Sequence, residues 1–176
     1  MPERATRPWW SWLLVSAVIV ALDLATKAWM SAEFRYGEVR EVLPFFNLVL
    51  VHNTGAAFSF LAGESGWQRW FFTLVTIVIC VALLVTLRRS SGKRLLALAL
   101  TLVLGGALGN LYDRLTLGHV VDFVQLHALG YYFPSFNVAD SAITIGVALL
   151  VWDGLLGHGA HDSPHEGLAP LPEEKQ

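Results

Sequence analysis

The chain is poor in charge and nearly free of sulfur. Of its 176 residues, 15% are charged, where a water-soluble domain carries about 25%. A single cysteine, Cys80, excludes an intramolecular disulfide and any thiolate zinc cluster. It lies inside an apolar run and reads as a small buried hydrophobe rather than a reactive thiol. Lys and Arg are missing altogether from residues 116–136. The net charge of -2 matters less than where the few charges stand.

What fills the chain instead is apolar. Hydrophobic residues make up 55%, and the mean hydropathy is +0.53. A helix needs about 20 apolar residues to cross the hydrocarbon core, and four stretches qualify: 9–30, 70–87, 95–111 and 138–156. The fold class expected is an all-α membrane protein of four transmembrane helices with a small extracytoplasmic β element. The expected domain is a single four-span unit over 1–156. Seven tryptophans gather at the span ends, with Trp9, Trp10, Trp12 and Trp29 around the first, Trp67 and Trp70 at the second and Trp152 in the last. That is the pattern of an interfacial aromatic belt.

Basic residues set the expected orientation. Arg4 and Arg7 precede the first span; Arg88, Arg89, Lys93 and Arg94 fill the short connection between the second and third. Both termini are therefore expected in the cytoplasm, with loops 31–69 and 115–137 outside. The first span is too long, and too rich in Trp, Asp and Lys, for a cleaved signal peptide. Within the outer loops, 44–53 reads as a strand, 56–61 as its returning partner, and 120–125 as a short strand or interfacial piece. The polar tail 157–176, with His158, His161 and His165, is expected to be disordered and cytoplasmic.

Ionisable groups within a span cost about 2.5–3.5 kcal/mol each at the helix centre, so their placement is informative. The expected topology gathers them at one depth: Asp23 and Lys27 late in span one, Asn110, Asp113 and Arg114 late in span three, Asn137 and Asp140 at the start of span four, and Asp122 between them. Gly106, Gly109, Asn110 and Asp113 follow helical spacing along one face, and the glycines permit close helix approach. Each residue also has a plain structural reading. Asp23 and Lys27 form a self-neutralising i,i+4 pair. Asp113 and Arg114 read as a local ion pair, Asn110 as interhelical glue, Asp122 as an exposed loop acid, and Asp140 as a helix N-cap. Convergence of so many at one depth makes a site the better account.

Five ordered blocks then carry a resemblance over nearly the whole chain. They are Asp23 to Lys27; Asn53-Thr54-Gly55-Ala56-Ala57-Phe58; residues 105–114, from Gly105-Gly106 to Asp113-Arg114; Gly118-His119-Val120-Val121-Asp122-Phe123; and Phe136-Asn137-Val138-Ala139-Asp140-Ser141. The sequence closely resembles bacterial signal peptidase II, the lipoprotein signal peptidase family. Leu24 departs from the glutamine common in that family after the first aspartate. The resemblance implies that Asp122 and Asp140 are a catalytic dyad. It implies supporting or substrate-binding roles for Asp23, Lys27, Asn53, Gly55, Gly106, Asn110, Asp113, Arg114, Asn137 and Ala139. It implies an aspartic endopeptidase of the bacterial inner membrane, with its site at the periplasmic face. The implied substrate is a diacylglyceryl-modified prolipoprotein, cut just before the lipidated cysteine. Partners would be that substrate and membrane lipid, with no nucleic acid, no metal, no cofactor and a monomeric state.

Two acids sharing one proton are suited to such a cleavage, since close like charges cannot both ionise cheaply. A transporter reading requires polar residues along the whole bilayer depth, and the inner halves of spans two and three are almost purely apolar. A rhomboid-type serine protease has no matching motif. A presenilin-type pairing finds Tyr112-Asp113 but lacks its glycine-containing second motif. A purely structural protein would tolerate changes at Asp122 or Asp140.

Overall fold

The computed structural model describes residues 8–55, 67–90 and 93–158. A short 3-10 turn over Trp9–Trp12 leads into α1 (Leu13–Glu33). Strands β1 (Val39–Leu43) and β2 (Phe46–Asn53) follow. Helices α2 (Trp67–Ser90) and α3 (Arg94–Thr116) form a hairpin. Strands β3 (Val120–Ala128) and β4 (Tyr131–Tyr132) then lead into α4 (Val138–His158). The four helical segments, Trp9–Glu33, Trp67–Ser90, Arg94–Thr116 and Val138–Leu155, are each long and apolar enough to cross a membrane. All four spans stand where hydropathy puts them, extended by up to five residues into their polar flanks. The expected domain boundary at 156 falls inside α4; residues 159–176, with His161 and His165, lie outside the described residues.

Helix α3 is the axle of the bundle. Of its apolar window 67% is buried, against 22%, 17% and 17% for the other three, and it packs on α1, α2 and α4. Its sequence explains why. Lipid supplies no hydrophobic drive between helices, so association depends on close packing of small residues. A Cβ at Gly105 would meet the backbone of Ser16 on α1, and one at Gly106 would run into the carbonyl oxygen of Ala139 on α4. A Cβ at Gly109 would meet the carboxylate of Asp23 on α1. On α4, Gly146 lies in the same way against Ala99 and Val103. Cys80 is buried with Leu104 and Ala107, as expected of a small hydrophobe. Trp10, Trp29, Trp67, Trp70 and Trp152 are exposed at segment ends, as a belt requires. Trp9 and Trp12 differ, because they pack on the cluster of Leu87, Ala97 and Leu100.

The strands form one antiparallel sheet of order β1-β2-β3-β4 at one end of the bundle. The partner of β2 on its own loop is β1, which precedes it. The expected returning strand at 56–61 lies outside the described residues. Strand β3 is longer than the 120–125 segment anticipated. Its other partner is β2, so the two outer loops are joined into one sheet. Between Leu48↔Val124 and Val51↔Asp122, β2 carries one more residue than β3. Such a bulge bends a strand and re-aims its neighbours, and here it lies beside Asp122. The far edge of β3 is tied to Phe136, which exchanges backbone hydrogen bonds with Val124 at 2.8 and 3.0 Å.

Candidate active site

The polar residues that the sequence scatters over 118 positions meet at the sheet end of the bundle. Lys27 is the hub. Its Nζ lies 2.7 Å from Asp23 Oδ2 and 2.9 Å from Asp113 Oδ2. It also donates to Asn110 Oδ1 at 2.9 Å. Asp23 is 0% exposed, Asp113 2% and Lys27 3%, so one buried ammonium stands between two buried carboxyl groups, and burial makes each side depend on the other. The supporting role expected for the Asp23–Lys27 pair therefore extends to a third member on another helix. The anticipated Asp113–Arg114 ion pair is a correction. Successive helical residues point about 100° apart, so Asp113 faces α1 while Arg114 turns outward. There Arg114 donates to the carbonyl of Gly55 at 3.0 Å and stands over the ring of Phe72.

Each of these groups also anchors a backbone segment. Asp23 Oδ1 accepts the amide of Ala139 at 2.9 Å, tying α1 to the first turn of α4. Asp113 Oδ2 accepts the amide of Val121 at 3.1 Å, tying α3 to β3 one residue before Asp122. Ala139 is 0% exposed, and its carbonyl faces Gly106, so a larger residue has no room. Asn53 Oδ1 accepts the amide of Gly55 at 3.0 Å, a local turn that fixes the direction of its NH2 group.

Asp122 and Asp140 stand on either side of Asn137. Asn137 Nδ2 donates to Asp122 Oδ1 at 2.7 Å, and its backbone amide donates to Asp140 Oδ2 at 3.3 Å. Asp140 returns a backbone bond to Asn137 Oδ1 at 2.9 Å. This is a capping box: Asn137 is the N-cap, and Asp140 sits three residues on, not at the cap as one expectation had it. Asn53 Nδ2 donates to Asp122 Oδ2 at 3.1 Å, and Asn110 Nδ2 donates to Asp140 Oδ1 at 2.8 Å. Asp122 is 2% exposed, so it is not the solvated loop acid of the plain reading. Burial, then the nearby charge of Asp140, push its carboxyl up to about 7, against the opposing hydrogen bonds of Asn53 and Asn137.

A cavity of about 680 Å³ opens between α2, α3, α4 and the sheet. Asn53, Asn110, Arg114 and Asp140 form its polar end, and Ile79, Val103 and Ile143 are among its apolar walls. Sequence reasoning missed the α2 and pre-α4 contributors, Phe72, Thr76 and Phe133. Their only signal was position: Thr76 interrupts an apolar helix, and Phe133 precedes Pro134. Among the described residues no group of three or more His, Cys, Asp or Glu is placed to hold a metal ion.

Four membrane-length helices, with Asp140 at the polar end of an apolar groove and Asp122 held beside it by Asn137, place the protein in the class of multi-pass membrane proteins with a buried pair of acids. Comparison narrows this. The family model described as Signal peptidase (SPase) II matches residues 15–156. The chain is 51% identical to the lipoprotein signal peptidase of Janthinobacterium sp. (strain Marseille), over 82% of this chain and 87% of that one. It is 47% identical to that of Cellvibrio japonicus (strain Ueda107), over 87% and 91%. A bacterial membrane enzyme solved by the in meso method at 2.3 Å superposes with a TM-score of 0.77 and 35% identity, covering 89% of this chain and 93% of that one. The chain belongs to the signal peptidase II family. It is thus an aspartic-type peptidase with a multi-pass membrane fold.

Proposed function

We propose that this protein removes the signal peptide from diacylglyceryl-modified prolipoproteins, cutting just before the lipidated cysteine, with Asp122 and Asp140 as the catalytic pair. The observation that carries the reading is Asn137, whose side chain holds the carboxyl of Asp122 and whose backbone holds that of Asp140 at the polar end of the groove. The names of the relatives supply the substrate class.

The two carboxyls share one proton. The ionised member takes a proton from a water molecule as that water attacks the scissile carbonyl, and the protonated member donates to the carbonyl oxygen. Collapse of the tetrahedral intermediate follows as the leaving amine is protonated. Arg114 and Asn53 line the approach and hold the substrate backbone, and Gly55 supports them through its bonds to both. Asp23, Lys27, Asn110, Asp113, Gly106, Ala139 and Asn137 fix the geometry. The steps draw on no metal or cofactor, and activity should survive strong chelators; loss on chelation with recovery on one added metal would overturn this. The enzyme works as a monomer.

The orientation proposed is termini in the cytoplasm, sheet and site at the periplasmic face of the inner membrane. In support, Arg88, Arg89, Lys93 and Arg94 cluster at the bundle end opposite the sheet. Cysteine labelling in a Cys80→Ala background checks it. Impermeant reagent applied from the periplasm should modify position 119 and not position 91.

The substrate assignment makes a strong demand. Each buried methylene of the diacylglyceryl group adds about 0.8 kcal/mol of anchoring, which sets the depth of the modified cysteine and brings the scissile bond level with the acid pair. Such positioning acts on the barrier as well as on occupancy. In proteoliposomes, single-turnover cleavage of lipidated precursor should be far faster than that of the unmodified form. Mass spectrometry should place the cut before the cysteine. Equal rates would remove the lipid from the reading.

A further inference from the structure

The side-chain amide of Asn110 has one orientation open to it. Its Oδ1 lies 2.9 Å from Lys27 Nζ, and an ammonium has no lone pair to offer, so the oxygen must face Lys27. Asn137 Nδ2 donates to the same oxygen at 3.3 Å. The NH2 end is thereby turned on Asp140 Oδ1, at 2.8 Å. Lys27 cannot drift from this task, because its three donors are engaged by Asp23, Asp113 and Asn110.

The surroundings of the two acids also differ. Asp140 stands in the first turn of α4, where the helix dipole favours negative charge. It is partly exposed to the groove, on the side of Arg114. Asp122 lies on a strand and is 2% exposed. The charged groups around the pair are Asp23 and Lys27 on α1 and Asp113 and Arg114 on α3.

We infer that Lys27, acting through Asn110, is the positioning residue that decides which acid is ionised: Asp140 carries the charge and Asp122 holds the shared proton. This deepens the paired-acid reading and rests on it. Asp140 then takes the proton from water while the water oxygen bonds to the carbonyl carbon, and Asp122 protonates the carbonyl oxygen. As the C–N bond breaks, Asp140 passes its proton to the leaving nitrogen, and the intermediate's hydroxyl returns a proton to Asp122. The pair ends as it began. The upward push on Asp122 agrees with this order.

The test is infrared titration of the full chain in lipid nanodiscs, with 13C at the aspartate carboxyls. The carboxyl titrating near pH 7 should be lost in Asp122→Asn; in Asp140→Asn it should remain but titrate lower, because the charge of Asp140 that helps to raise it is gone. Adding Asn110→Leu to Asp122→Asn should move the remaining Asp140 carboxyl to higher pH than in Asp122→Asn alone, because a donor to its charged form is gone. Alone, Asn110→Leu should lower kcat about 10²-fold, the scale of losing one directed donor, with KM little changed. Lys27→Met, made with Asp23→Asn and Asp113→Asn so that no buried charge is left unpaired, should do the same. If that triple variant does not fold, the Asn110→Leu pair of measurements still decides. A near-neutral carboxyl that stays unchanged in Asp122→Asn overturns the inference. So does an Asn110 variant that loses stability but keeps the kcat and pH profile of the folded enzyme. Full turnover by Asp122→Asn and Asp140→Asn would instead defeat the paired-acid reading itself, so the two failures are distinguishable.

Discussion

Two groups of buried acids share the sheet end of the bundle, and they differ in what answers their charge. Asp23 and Asp113 each face the ammonium of Lys27 within 2.9 Å. Asp122 and Asp140 receive amide hydrogen bonds from Asn53, Asn110 and Asn137, and among the described residues neither has an ion-pair partner. The two acids opposite the buried cation serve as anchors, for the amides of Ala139 and Val121. An acid met only by neutral donors keeps a proton that can move. The same residue type therefore supplies both frame and proposed chemistry, and the placement of one lysine separates them.

The sharpest way to break this contrast is to neutralise each group in turn. Asp122→Asn and Asp140→Asn should each cut turnover by at least about 10³-fold while folded protein still accumulates in the membrane. Substantial cleavage by either would move the chemistry elsewhere. Lys27→Ala should do the opposite kind of damage. It leaves two carboxylates buried without their cation, a loss of about 3–5 kcal/mol, read as a collapse in folded yield and in melting temperature. Asp113→Asn should be milder, losing activity through stability. Melting curves in detergent check both, and a Lys27→Ala protein as stable as its parent would refute the idea of a closed ionic frame.

Next in size is the helix contact beneath the acids. A Cβ at Gly106 collides with the Ala139 carbonyl, one residue before Asp140, and backbone cannot swing aside as a side chain can. Gly106→Ala should push α4 from α3, lower stability by about 1–3 kcal/mol and reduce kcat more than it raises KM. Gly154→Ala, with open space around its Cβ, is the matched control and should do neither. Contacts of this kind also mark the limit of what could be read in the sequence. The four spans follow from length and hydropathy, and the depth of the acids follows from the spans. That Lys27 would reach Asp113 and Asn110 does not follow, because it depends on how closely α1 and α3 cross, which Gly105 and Gly109 set only in three dimensions. Adjacency in sequence suggests that Arg114 pairs with Asp113, but one residue along a helix turns a side chain onto another face. The β1–β2 pairing is not legible in the sequence, because Val39–Leu43 is exposed throughout and carries Arg40 and Glu41, which break the apolar pattern of a strand.

The smallest expected effect tests how neutral donors tune the open pair. Asn53 Nδ2 donates to Asp122 Oδ2 at 3.1 Å, and that bond favours the ionised form. Asp122 nevertheless holds its proton to about pH 7, since burial and the charge of Asp140 outweigh it. If Asp122 is the acid that protonates the carbonyl, kcat should fall above that pH. Asn53→Ala removes a donor to the charged form, so the proton is held longer and the alkaline limb should move upward. One pH unit corresponds to about 1.4 kcal/mol, and a bond of this length justifies about half to one unit. Stability should follow the same sign. A carboxyl raised above its ordinary value of 3.8 stabilises the fold fully only below that value, and the contribution is lost as pH rises through the folded value. Asn53→Ala should therefore steepen the loss of melting temperature between about pH 4 and pH 8. Asn47→Ala serves as the control, because its amide donates to Gln125, three residues along β3 from Asp122. It should leave both limbs in place. An alkaline limb that stays in place while the acid limb moves upward in Asn53→Ala would mean that Asp122 works as the ionised partner, and the comparison between the two acids of the pair would have to be turned around.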